Sequence, residues 1–139
     1  MLKTIFLYYP SFENGGATKN LINIINYFTK KKINILLFSY GADKKQFTIN
    51  KYLTIVNTKP ITLLNFLPMR WNLALSSVFN LSSYIKQNKK NSIIFSMQSH
   101  IPAIIVAKLN NIKISIRNSE EVLGATLYAD NRILSFFVL

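Results

Sequence analysis

The chain has 139 residues, half of them hydrophobic, and a formal net charge of +12. That length fits one domain with a core of its own, and that apolar content excludes a disordered chain. With no cysteine there is neither a disulfide framework nor a thiolate metal site.

Thr4 to Tyr9 is a continuous apolar, β-prone run, as expected of a strand buried on both faces in a parallel sheet. Pro10 to Gly16 follows as a loop whose Gly15-Gly16 pair widens the choice of backbone angles. The period then changes. Ala17, Leu21, Ile24, Ile25 and Phe28 are spaced as one face of a helix, which the lysines at 30–32 end, where cations suit the helix dipole.

Ile33 to Ser39 reads as a second strand, Tyr40 to Asp43 as a turn, and Leu53 to Val56 as a third strand whose following loop closes at Pro60. A helix is predicted from about Arg70 to Gln87, with Trp71, Ala74, Val78, Leu81 and Ile85 facing inward. Ser92 to Met97 is the fourth strand. Pro102 suits the first turn of a helix, where its missing N–H costs nothing, and that helix ends at Asn110-Asn111. Lys113 to Arg117 is a fifth strand, Asn118 to Asp130 a loop, and Arg132 to Leu139 the start of a further apolar element.

Strands alternating with helices predict an α/β fold with a parallel sheet. In such a sheet ligands sit beyond the carboxyl ends of the strands. That rule selects the loops Pro10–Gly16, Gln98–Pro102 and Asn118–Glu121.

Each loop carries residues able to bind. Glu13-Asn14-Gly15-Gly16-Ala17-Thr18 has neither the P-loop spacing nor the three glycines of a dinucleotide fingerprint. It offers bare backbone N–H groups at a helix start, suited to an anion or a sugar hydroxyl, or it is a tight turn that needs glycine. His100, the only histidine, could hydrogen-bond a sugar or phosphate near neutral pH, or it is a helix-start residue bonded to backbone. Arg117, with Asn118 and Ser119 behind it, could hold a phosphate, or pair with Glu120 or Glu121. Adjacent carboxylates do not face each other, so Glu120 and Glu121 are no glycosidase pair. A metal cluster is not suggested.

The charge also has two readings. It is a basic surface that meets phosphates, or the compositional bias of a chain rich in Lys, Asn and Ile. The lysines are scattered, with Lys30-Lys31-Lys32 the one run of three, and most aromatics lie inside apolar runs. Nucleic acid is therefore not expected as a partner. No apolar run approaches the roughly 20 residues that span a bilayer, and Met1-Leu2-Lys3-Thr4 does not open a signal peptide. The expected compartment is the cytoplasm.

Taken in order, these segments resemble a known family. Phe6-Leu7-Tyr8-Tyr9-Pro10 through Glu13-Asn14-Gly15-Gly16-Ala17-Thr18, then Ile94-Phe95-Ser96-Met97-Gln98-Ser99-His100, then Ile114-Ser115-Ile116-Arg117-Asn118-Ser119-Glu120 are similar to the N-terminal domain of family 4 glycosyltransferases of the GT-B fold. The resemblance implies that residues 1–139 are most of a Rossmann-like, acceptor-binding N-terminal domain, cut before its sixth strand. The donor-binding domain with its Glu-x-x-x-x-x-x-x-Glu motif is absent.

It further implies transfer of a sugar from a nucleotide-sugar, with retention of configuration and without a cofactor or metal, to a glycan or lipid-linked acceptor. By the same resemblance Gly15 and Gly16 lie against the donor, His100 contacts the donor sugar, and Arg117, Asn118 and Ser119 bind substrate. A lipid-linked acceptor implies peripheral attachment to the inner membrane face. The chain alone is expected to be inactive. The alternative is a non-catalytic basic α/β module that binds an anionic membrane or a partner protein.

Overall fold

The computed structural model describes residues 1–48 and 50–117. In chain order these form β1 (Thr4–Ser11), α1 (Gly16–Lys30), β2 (Asn34–Tyr40), β3 (Leu53–Asn57), α2 (Met69–Asn88), β4 (Ser92–Ser96), α3 (His100–Asn110) and β5 (Ile114–Ile116). The strands make one sheet in the order β3-β2-β1-β4-β5, and every neighbouring pair is parallel. This is the Rossmann-like α/β architecture that the alternation of apolar periods predicts.

Why β1 is apolar throughout is now plain, because both its faces are covered. Ile5, Leu7 and Tyr9 point to one side, where they meet Leu21 and Ile25 of α1 and Ile35 and Leu37 of β2. Phe6 and Tyr8 point to the other, where Val78, Leu81 and Ile85 of α2 and Ala103, Val106 and Ala107 of α3 close over them. The Tyr8 hydroxyl reaches the Ala74 carbonyl of α2 at 2.8 Å, so a phenol sits in the apolar layer with its polar tip satisfied.

Several predicted details shift. The first strand runs on through Pro10 to Ser11, and its register with β2 slips between Tyr8 and Ser11, where Pro10 has no N–H to give. In α1 the buried positions are Thr18, Leu21, Ile25 and Thr29, while Ala17 is exposed. The threonines can be buried because backbone carbonyls accept their hydroxyls: Thr29 bonds Ile25 at 2.8 Å, and Thr18 bonds Glu13.

In α2, Ala74, Val78, Leu81 and Ile85 face inward as expected, but Trp71 is 55% exposed. Asn72 takes the buried place beside it and turns the helix accordingly. Its side chain accepts from the Ile61 N–H at 2.8 Å and donates to the Ile61 carbonyl at 3.0 Å. Ser76 donates back to the Asn72 carbonyl at 2.8 Å. Two 3-10 turns, Lys44–Gln46 and Thr62–Leu64, went unforeseen in the connections on either side of β3.

The connections run outward from β1 to β2 and β3, then return across the sheet to β4 and β5. The direction of winding therefore reverses between β1 and β4. In open parallel sheets that reversal leaves a crevice beyond the strand ends.

Candidate functional site at the strand-order reversal

The loops after β1 and β4 border this crevice and are tied together. The Met97 N–H donates to the Tyr8 carbonyl at 3.1 Å, and the Ser11 N–H donates to Gln98 Oε1 at 2.9 Å. The residue that follows β5 is attached to β4: the Arg117 N–H donates to the Ser96 carbonyl at 2.9 Å.

On the β1 side, Glu13 to Thr18 is wound up by a short relay. Thr18 Oγ1 gives its one proton to the Glu13 carbonyl, so the Tyr9 hydroxyl, 3.1 Å away, must donate to Thr18. Gly15 and Gly16 then open α1. Neither needs to be glycine for the turn, which corrects that expectation. Gly15 has the extended backbone of φ 165 and ψ −174, and a Cβ added at either position would meet nothing within 4 Å. No side chain caps the helix and no acid lies in its first turn. Among the described residues the N–H groups of residues 16–18 have no hydrogen-bond partner, and the positive end of the helix dipole lies behind them.

On the β4 side, His100 is the first residue of α3 and not part of a loop extending to Pro102. The helix begins this early because Pro102 still falls in its first turn, where no N–H is required. Ser99 before it takes the left-handed conformation at φ 51, a strained choice for a residue with a side chain. That turn brings His100 Nδ1 to 2.8 Å from Ser96 Oγ. Among the described residues Nε2 has no hydrogen-bond partner. Burial lowers the imidazole pKa below its ordinary value, so at neutral pH the ring is uncharged, with one nitrogen held by Ser96 and the other able to serve a ligand.

Of the predicted site residues, Gly15 and Gly16 begin α1 after β1 and His100 begins α3 after β4, and the two connections are joined by the Ser11–Gln98 hydrogen bond. Arg117 is half-buried and anchored by its backbone to the serine that holds His100. Asn118 and Ser119 lie outside the described residues, as do Glu120 and Glu121. Sequence reasoning missed Ser96, Gln98 and Thr18 as the groups that position this site. It also missed Arg70, whose guanidinium lies 3.3 Å from the Glu13 carboxylate. The pair is exposed and adds little to stability, yet it ties the start of α2 to the glycine loop.

No protein-family model matches the chain, and no curated protein does. Among solved structures, the chain superposes on a UGT transferase from Siraitia grosvenorii crystallised in complex with UDP, with a TM-score of 0.61 and 8% sequence identity. The match covers 90% of this chain and 30% of that one. The shared property is the fold: a Rossmann-like domain of the kind found in a glycosyltransferase.

Proposed function

We propose that this chain is the acceptor-side, N-terminal domain of a GT-B glycosyltransferase of the family 4 type, working opposite a separate donor-binding domain. The observation that carries this reading is the placement of an uncapped glycine-led helix start and a half-buried histidine beyond the ends of two adjacent parallel strands, β1 and β4, where the winding of the sheet reverses. That arrangement suits a nucleotide-sugar. Its phosphate is an anion for the bare amides around Gly15 and Gly16, and its sugar hydroxyls are partners for His100 Nε2. Arg117, Asn118 and Ser119 would add substrate contacts from the third loop.

In this reading the protein contributes positioning and electrostatics. The first-turn amides of α1 stabilise charge that gathers on the leaving phosphate. His100, uncharged at working pH, donates to or accepts from a donor hydroxyl according to the tautomer that Ser96 fixes. The acceptor is a glycan or lipid-linked glycan, and the sugar is transferred with retained configuration.

The test is transfer of labelled sugar from a nucleotide-sugar to a lipid-linked acceptor, run with the 139-residue chain alone and with a donor-binding domain supplied. We expect no product from the chain alone, and complementation when the second domain is present. Proton NMR of the product should show the donor's anomeric configuration. Product from the chain alone would remove the two-domain reading. Unchanged transfer after His100→Ala would remove His100 from the site.

A further inference from the structure

Ser96 Oγ carries one proton and stands near two groups able to take it. His100 Nδ1 is 2.8 Å away and the Gln98 carbonyl 3.5 Å. The group that receives the proton decides the tautomer of the imidazole, and with it what Nε2 can bind.

Two arrangements satisfy the distances. In one, the hydroxyl donates to Nδ1. The ring proton is then on Nε2, and the Gln98 carbonyl faces only a lone pair of the serine. In the other, Nδ1–H donates to Ser96 Oγ, and the hydroxyl passes its own proton on to the Gln98 carbonyl. The second arrangement joins all three groups in a relay, while the first joins only the serine and the ring.

The surroundings favour the relay. Gln98 precedes the cap of α3 at Ser99, so its carbonyl stands outside the helix ladder. Among the described residues the Ser96 hydroxyl is the one donor that reaches it. Ser96 is 0% exposed, so solvent does not complete its bonding. In such a place an unmade hydrogen bond costs more than a made one contributes, and linked donors polarise one another.

We infer that Ser96 is a positioning residue that keeps the His100 proton on Nδ1, so that Nε2 offers a lone pair and accepts a hydrogen bond from a hydroxyl of the ligand. The identity of that ligand is taken from the proposed transferase reading; the tautomer depends only on the geometry around Ser96. A sugar hydroxyl has a proton to give to Nε2. A phosphate oxygen or a carboxylate has none, and is refused. A second proton on the ring would lift the refusal, but burial opposes it. His100 thus reads the sugar and leaves the phosphate to other groups.

His100 is the only histidine in the chain, so a ¹⁵N-labelled chain without a histidine tag gives one set of ring signals. Long-range proton–nitrogen correlation just above neutral pH should show Nδ1 protonated and Nε2 bare. Ser96→Ala should release the ring, and the proton should move largely to Nε2. A protonated Nε2 in the parent would overturn the inference, and so would an unchanged spectrum in Ser96→Ala. This spectrum is read without ligand, so its outcome is independent of whether sugar is transferred. With a donor-binding domain supplied, each hydroxyl of the donor sugar is then replaced in turn by fluorine, which accepts but does not donate. At one position the parent should lose about tenfold in binding, and Ser96→Ala much less. Equal losses in both at every position would remove Ser96 from this role.

Discussion

Ser96 Oγ lies 2.8 Å from His100 Nδ1, across the turn that joins the end of β4 to the start of α3. The same serine accepts the Arg117 N–H on its carbonyl. One residue at the end of an inner strand therefore holds both the imidazole that opens α3 and the backbone N–H that follows β5.

This pairing has a pH signature. Burial lowers the His100 pKa from its ordinary value of about 6.5. As pH falls through that value the unfolded chain takes up a proton first, so the native state loses stability. Stability should be full above about pH 6.5 and decline below it, levelling off once native His100 is protonated. Chemical denaturation at a series of pH values should show the slope, and His100→Gln should reduce it.

The glycines separate structural from binding roles. Since a Cβ at Gly15 or Gly16 meets nothing, Gly15→Ala and Gly16→Ala should leave stability within about 1 kcal/mol of the parent. Gly16→Ala should fall on the favourable side, because alanine is the better helix former. If the first-turn amides of α1 receive a donor phosphate, the same changes should weaken nucleotide-sugar binding several-fold when the chain is paired with a donor-binding domain. Thermal melts and calorimetric titration would measure the two effects separately.

Asn72 is a polar residue in a buried position, and its bonds explain why. Asn72→Ala should leave the Ile61 N–H and carbonyl without their partner and cost about 2–3 kcal/mol. Asn72→Leu should do no better, since volume is restored but the hydrogen bonds are not. Urea denaturation of both variants is the check, and faster amide exchange around residues 61–65 should accompany the loss.

Thr18→Val keeps the shape of the side chain and removes the hydroxyl that links Tyr9 to the Glu13 carbonyl. The expected cost is about 1–2 kcal/mol. Tyr9→Phe together with Thr18→Val should cost less than the two changes summed, because the two hydroxyls share one bond.

The strands were legible because burial on both faces writes itself as unbroken apolar runs, and β1 is the clearest case. The order of elements, and with it the position of His100 beyond β4, followed from the same alternation. The inward face of α2 was misread at Trp71 because hydrophobicity alone favours burying tryptophan over asparagine. What reverses that preference is a long-range bond to Ile61, which no helical period encodes. The supports of the candidate site were hidden for a related reason. Ser96, Gln98 and Thr18 are small or neutral, and their importance comes from partners that the sheet brings together. Only the spacing of Ser96 and His100, four residues apart at a strand end, gave a local hint.

The Tyr8 hydroxyl bonds to the Ala74 carbonyl and so pins the middle strand of the sheet to the helix whose first turn bears Trp71. Thr58 and Ser77 add a second pin at 3.0 Å between the end of β3 and that helix. Helix and sheet are therefore riveted as a single strut. A push on the tryptophan end of that strut is therefore passed to the middle strand and to the loop that follows it.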